Sequence, residues 1–293
     1  IIAGPEGKVN HRRLHNGENG GIITDKICEY RMALGPERSG TKVELESFHQ
    51  ELTEESYSRQ EELIFAECDC RRRARVGTLL SKAAAMAGYD YDARGLPYEK
   101  LYEKGEVFLL SRIALRIHRS PMAGEVVTTT TWEAGVKGAH MCRHYETRDK
   151  AGNVCVDYKS DWILVDPKTR RILRPSSFSA RKLENHAPEL DCPEPCKIVL
   201  PHEGLEDLGK RRVMWSDLDG NGHLYSGNYG DVIWDYLPSP YQERMPREFY
   251  LNYSKEAKLG QELALSGFRV GEDEYLMEAT GPDGVCFTCR CVF

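Results

Sequence analysis

The strongest constraint on this chain is that it carries one pattern twice. The segment ECDCRRRARV, from Glu67, aligns without gaps on WSDLDGNGHL, from Trp215, so that Asp69 meets Asp217 and Val76 meets Leu224. Further on, IALRIHRSPMAGEVV, from Ile113, aligns on FYLNYSKEAKLGQEL, from Phe249, with Gly124 on Gly260. A repeated unit implies a pseudo-dimer within one chain, each copy burying its apolar face with help from the other.

Periodicity says what the unit is. YSRQEELIFAEC, from Tyr57, reads as a strand. Val76, Leu79, Leu80, Ala83 and Ala87 then recur at helical spacing, with Gly88 as the expected C-terminal cap. Val107, Leu109, Ile113, Leu115 and Ile117 alternate with polar residues as one face of a strand. EVVTTTTWEA, Met141–Thr147 and VCVDYKSDWILVD supply further strands joined by turns such as DKAGN, so the sheet is expected to be antiparallel. After a proline-bearing stretch with DCPEPC the order restarts. GKRRVMWSD reads as a strand, Tyr229, Val232, Ile233, Tyr236 and Leu237 as a helix stopped by Pro238, and four more strands follow.

These breaks set the expected boundaries. Residues 1–56 form an N-terminal extension, 57–180 a first domain, 181–203 a linker and 204–293 a second domain. The extension is glycine-rich and aperiodic over its first forty residues and is expected to be disordered or foreign to the folded unit. The chain starts at Ile1 and its first methionine is Met32, which suits a fragment, a processed product or a start placed too early.

Forty Lys and Arg against forty-six Asp and Glu give a net charge of −6, which argues against a general nucleic-acid binder. No apolar run reaches the ~18 residues of a membrane span. No basic stretch followed by an apolar one opens the chain, so a cytoplasmic location with reduced thiols is expected.

The chemistry concentrates where the second unit turns from strand to helix. Asp217, Asp219, Asn221 and His223 fall within seven residues. In an extended turn, alternate spacing would point Asp219, Asn221 and His223 the same way, beside the free N–H groups of a helix start suited to a developing oxyanion. A calcium loop is the rival reading of DLDGNGHLYSGN, but its twelfth position is Asn228 rather than Glu and a strand precedes it. Cys286, Cys289 and Cys291 lack the second ligand pair of a zinc site, and alternation sets Cys286 on the face opposite the other two.

WSDLDGNGHL, WDYLP and FYLNYSKEAKLG together resemble the second half of an acyl-ACP (acyl carrier protein) thioesterase. FLLSRIALRIHRSPMAGEVVTTTTW, RHYETRDKAGN and SDWILVDPKTRRILRP are similar to that family's first half. The resemblance covers about residues 57–293. It implies an α+β tandem (double) hot-dog fold, each unit an antiparallel sheet wrapped around a central helix, the first shaping an acyl-chain cavity and the second carrying catalysis. It also implies hydrolysis of acyl-ACP to free fatty acid and carrier, terminating fatty acid synthesis, with no cofactor and no metal. The partner is acyl carrier protein bearing a phosphopantetheine-linked acyl chain, and a homodimer is an admissible assembly. The rivals are an acyl-CoA thioesterase of the same fold and a non-catalytic acyl-carrier-binding protein.

By the same resemblance the catalytic residues are Asp219, Asn221, His223 and, from the following strand, Glu256. Plant members commonly carry Cys after that Glu, where this chain has Ala257, and an Asn pair after the His, where it has Tyr225 and Ser226. Aligned through the repeat, Glu256 meets Ser120, and Asp219, Asn221 and His223 meet Arg71, Arg73 and Arg75, so the first unit is expected to lack every catalytic group. An acidic carrier needs a local basic surface. The candidates are Arg71, Arg72, Arg73 and Arg75, then Lys168, Arg170, Arg171 and Arg174, then Lys210, Arg211 and Arg212.

Overall fold

The computed structural model describes residues 48–183, 185 and 188–293. The first forty residues, expected to be disordered, lie outside them. The first unit contains β1 (Gln50–Leu52), β2 (Ser56–Glu62), α1 (Val76–Ala93), α2 (Tyr98–Lys104), β3 (Val107–Ile117), β4 (Val126–Lys137), β5 (His140–Asp149) and β6 (Val154–Val165). The second contains β7 (Glu206–Arg212), α3 (Asn228–Tyr236), α4 (Ser239–Gln242), β8 (Glu248–Tyr253), β9 (Glu262–Arg269), β10 (Glu274–Gly281) and β11 (Gly284–Val292). Residues 50–52, assigned from sequence to the extension, pair with β2 through Leu52 and Tyr57.

All strands belong to one antiparallel sheet in the order β1-β2-β4-β5-β6-β3-β8-β11-β10-β9-β7. The halves read β2-β4-β5-β6-β3 and, in mirror order, β8-β11-β10-β9-β7, and they join where β3 pairs with β8. In that seam Ile113 faces Leu251, Ala114 faces Tyr250 and Leu115 faces Phe249. Ile113 and Phe249 are repeat partners, and so are Leu115 and Leu251, so a pseudo-twofold axis passes through the Ala114–Tyr250 pair. The units are therefore halves of a continuous sheet, with Phe249, Leu251, Ile113 and Leu115 all buried in one core.

The two central helices meet along that axis through glycine. A Cβ on Gly230 would lie 2.6 Å from the backbone N of Gly77, one on Gly77 2.4 Å from Asp231 Oδ1, and one on Gly227 1.9 Å from Ser81 Oγ. Only residues without side chains allow so close a crossing. Val76, Leu79, Leu80, Ala83 and Met86 of α1, and Tyr229, Val232 and Ile233 of α3, then fill the core against Tyr145, Tyr158 and Phe287 of the sheet. This is the helix-on-sheet unit expected, built twice.

Three details depart from the sequence pattern. Helix α1 does not cap at Gly88 but runs on to Ala93, because Asp90 and Tyr91 are buried anchors: Asp90 binds Arg143 Nη1 at 2.8 Å and Arg94 Nε at 2.7 Å. In β3 the register shifts between Leu110 and Arg112, so Leu109 is only half-buried and does not share the face of Ile113. Phe108 packs on Tyr91 instead, ring centroids 5.3 Å apart. A second shift, between Ala279 and Thr280, bulges β11 at Cys286 and brings it into the same core as Cys289 and Cys291.

The stretch read as a linker lies on the other face of the sheet. Ile198 and Leu200 cover Ala114 and Tyr250 at the axis. Asn252 clamps it there, accepting from the Ile198 N–H at 2.9 Å and donating to the Cys196 carbonyl at 2.9 Å. Among the described residues no helix is long and apolar enough to cross a membrane.

Candidate active site

The segment after β7 is shaped by its aspartates. Asp217 accepts from the Met214 N–H at 2.6 Å and binds Arg211 Nη2 through both oxygens, at 2.8 and 2.9 Å, so its carboxylate holds the loop's entry. Asp219 does the same for the turn. Its Oδ1 accepts from the N–H of Asn221 at 2.8 Å and of His223 at 3.2 Å, while its carbonyl accepts from Gly222 N–H at 3.0 Å. Gly222 closes the turn at φ 78°, a left-handed conformation that glycine adopts without steric cost. The segment is thus a tight turn rather than an extended one, and Asp219 faces its own backbone instead of standing in a row with Asn221 and His223. The Asn221 amide reaches Asp219 Oδ2 only at 3.5 Å.

Beyond the turn the chain pairs with the loop that follows β8. His223 bridges Lys258, and the Leu224 N–H donates to the Ala257 carbonyl at 2.8 Å. Glu256 then sits two residues before the partner of His223, a diagonal neighbour that long side chains reach. His223 Nε2 lies 3.3 Å from Glu256 Oε2. A carboxylate oxygen only accepts, so the hydrogen of the neutral imidazole belongs on Nε2. Nδ1 is buried without a hydrogen-bond partner. Burial holds the His223 pKa below its usual value, against the opposing pull of Glu256, so the neutral form is favoured.

Arg170 completes the group from the other unit. Its Nη2 donates to Glu256 Oε2 at 2.6 Å. Burial raises the Glu256 carboxyl, and the Arg170 hydrogen bond is the first of several interactions that together hold the group below the usual carboxylate range. Sequence reasoning placed Arg170 only among docking candidates, and the TRR run carried no signal of this contact. The helix start contributes less than expected. Helix α3 begins at Asn228, and the N–H groups of Asn228 and Gly230 already donate to Tyr225 and Gly227. Ala257, in place of the plant-type cysteine, is fully buried.

The first unit repeats this loop, two residues away from the gapless alignment. Gly222 N–H to Asp219 carbonyl has its counterpart in Arg72 to Asp69 at 2.9 Å. The bridges Leu218–Leu224 and His223–Lys258 match Cys68–Ala74 and Arg73–Met122. Asp219, Asn221 and His223 therefore correspond to Asp69, Arg71 and Arg73, not to Arg71, Arg73 and Arg75. Matching aspartates by letter set Asp69 on Asp217, whereas the turn-forming carboxylates are Asp69 and Asp219. Ser120 remains the counterpart of Glu256. The first unit thus retains the aspartate, but an arginine replaces the histidine, and Arg73 Nε donates to Asp69 Oδ2 at 2.9 Å.

A cavity of about 290 Å³ opens in the first unit, walled by Ala84, Ala87, Leu101, Met141 and Trp162. Arg143 and Glu133, both buried, form its polar wall. Tyr98 lines it too, and burial raises its phenol.

Two curated relatives are similar over part of the chain. An acyl-[acyl-carrier-protein] hydrolase of Cuphea viscosissima is 24% identical over 158 residues, covering 52% of this chain and 38% of its own length. A palmitoyl-acyl carrier protein thioesterase of Arabidopsis thaliana is 23% identical over 185 residues, covering 59% of this chain and 44% of its own. The matched part is thus less than half the length of each relative. Solved structures share the fold: an acyl-ACP thioesterase from Bacteroides thetaiotaomicron (TM-score 0.74, 23% identity, 81% of this chain and 97% of that one) and a 12:0-ACP thioesterase from Umbellularia californica (TM-score 0.67, 16% identity, 83% and 98%). These neighbours bear out the tandem hot-dog architecture. The family model of the acyl-ACP thioesterase N-terminal domain matches residues 54–176, and that of the C-terminal domain matches residues 206–278. With both halves matched in order over most of its length, the chain belongs to the acyl-ACP thioesterase family.

Proposed function

We propose that the protein hydrolyses the thioester of acyl-ACP, releasing free fatty acid and the carrier's thiol and so terminating fatty acid synthesis. The observation that carries this reading is the His223–Glu256 contact at 3.3 Å, assembled on a turn that Asp219 fixes.

Glu256 is ionised and takes a proton from a water as its oxygen attacks the thioester carbonyl carbon. The carbon–sulfur bond then breaks. Glu256 then returns its proton to the departing thiolate, with the Nε2–H of neutral His223 donating to the carboxylate that re-forms, so acid, thiol and the starting protonation states all balance. Asn221 is the proposed side chain for positioning the water or carbonyl, and Asp219 acts through the turn. The acyl chain lies in the first-unit cavity. No cofactor takes part in this scheme, the proposed compartment is the cytoplasm, and a homodimer is the proposed assembly.

The test is hydrolysis of an acyl-ACP panel of varied chain length, followed by released thiol, with matched acyl-CoA thioesters alongside. Faster turnover of acyl-ACP supports the reading. Preference for acyl-CoA reassigns the substrate, and no turnover of either leaves a carrier-binding protein.

A further inference from the structure

Arg170 sits in the turn after β6, and its placement is costly. Asp166 builds the turn, its Oδ1 accepting from the N–H of Lys168 at 2.8 Å and Thr169 at 3.1 Å, while its carbonyl accepts from Arg170 N–H at 2.8 Å. To close it, Arg170 adopts φ 59°. Glycine or asparagine enters this left-handed region far more readily than arginine. Strain of this kind persists where the surroundings over-determine it, and it concentrates at functional sites. Here the strained residue is the one whose guanidinium crosses from the first unit to Glu256 of the second, 86 residues later in the chain.

Its chemistry suits that post. A carboxylate half-buried beside a histidine can turn about its terminal bond and, as burial raises it, take up a proton. A guanidinium donor on Oε2 opposes both, fixing the orientation of the oxygen that His223 also addresses. Its permanent charge is retained at any working pH. The neighbouring basic residues Lys168, Arg171 and Arg174 make no ion pair among the described residues.

We propose that Arg170 is a positioning residue of the active site, holding Glu256 ionised and oriented for the chemistry of the second unit, so that catalysis requires the first unit for more than its cavity. This rests on the thioesterase reading for its kinetic consequence, but not for the contact itself.

Arg170→Gly separates charge from fold, because it removes the guanidinium while relieving the left-handed backbone. The unmodified protein, Arg170→Gly and Arg170→Lys are compared by carbon-13 titration of the Glu256 carboxyl and by acyl-ACP hydrolysis. Expected are an unchanged or higher melting temperature for Arg170→Gly, a Glu256 midpoint higher by about 1 pH unit for a partly exposed partner, and kcat lower by roughly tenfold at unchanged KM. Arg170→Lys, which keeps the charge, is expected to recover part of both. A Glu256 midpoint that does not move in Arg170→Gly overturns the proposal, as does a moved midpoint with kcat intact. If the unmodified protein hydrolyses no thioester, the thioesterase reading falls, while the titration still decides whether Arg170 governs Glu256.

Discussion

Arg73 occupies in the first unit the place that His223 occupies in the second. Each lies four residues after the aspartate that forms its turn, and each bridges the loop that follows the seam strand, at Met122 and at Lys258. Arg73 is bound to Asp69, whereas His223 faces Glu256. At this place in the fold, therefore, the second unit holds the histidine–carboxylate contact and the first does not.

Removing that site has an asymmetric effect. His223→Ala or Glu256→Ala is expected to lower kcat for acyl-ACP by ~10²–10³-fold, the usual cost of losing one group aimed at the reacting centre. Arg73→Ala is expected to leave kcat within about twofold, since its bonds are structural. Released-thiol assays with purified variants decide this. Near-full activity in both His223→Ala and Glu256→Ala would remove the assignment.

The pH dependence follows from the same pair. The working imidazole is neutral, and burial depresses its pKa, so activity is expected to persist below the ordinary histidine range and to fade only as His223 takes up a proton. Glu256 raises the His223 pKa by attraction. Glu256→Gln should therefore move the histidine midpoint lower still, measurable by proton NMR of the ring whether or not the variant turns over.

The cavity sets chain length in this scheme. Ala84 and Ala87 stand on the α1 wall. Ala87→Phe adds a ring to a space of about 290 Å³, and the preferred acyl chain is expected to shorten by several carbons, read from kcat/KM across the acyl-ACP panel. An unchanged optimum would place the chain elsewhere.

If the carrier docks on a basic surface, the cluster after β6 is the proposed place, because most of the other candidates are paired. Arg71 pairs with Glu243, Arg73 with Asp69, Arg75 with Asp231, Lys210 with Glu262 and Arg211 with Asp217. Lys168, Arg171 and Arg174 are exposed. Reversing these three to glutamate should raise KM for acyl-ACP roughly tenfold and flatten its salt dependence, with kcat little changed, because exposed charges act mainly on encounter.

The helix crossing is a matter of stability. Gly230→Ala drives a methyl to 2.6 Å of the Gly77 backbone, which cannot move as a flexible side chain would. A loss of about 1–3 kcal/mol is expected for such overpacking. Denaturant unfolding measures it, and an unchanged midpoint would show that α1 and α3 separate freely.

The repeat, the strand and helix periodicities and the D-x-N-x-H motif were all legible in the sequence, because each is a local pattern of residue spacing. His223 and Glu256 could be named from the family's motif, and Ser120 from the gapless alignment of the second repeat segment. What spacing could not carry was anything resting on contacts between distant segments. The true end of α1 depends on Asp90 meeting Arg143 from β5, and the two-residue slip in the first alignment became visible only through paired hydrogen bonds around Asp69 and Asp219. The role of Asp219 turned on backbone N–H groups that no residue letter reports. Arg170 and Glu256 are brought together by a sheet joined at β3 and β8. The sequence by itself determined the unit and its duplication, since hydrophobic period and turn residues act within a few positions. Tertiary structure decided which copy brings a histidine to a glutamate and which cation reaches that carboxylate, because the first depends on the loop after β8 pairing with the turn after β7, and the second on a side chain crossing the pseudo-twofold.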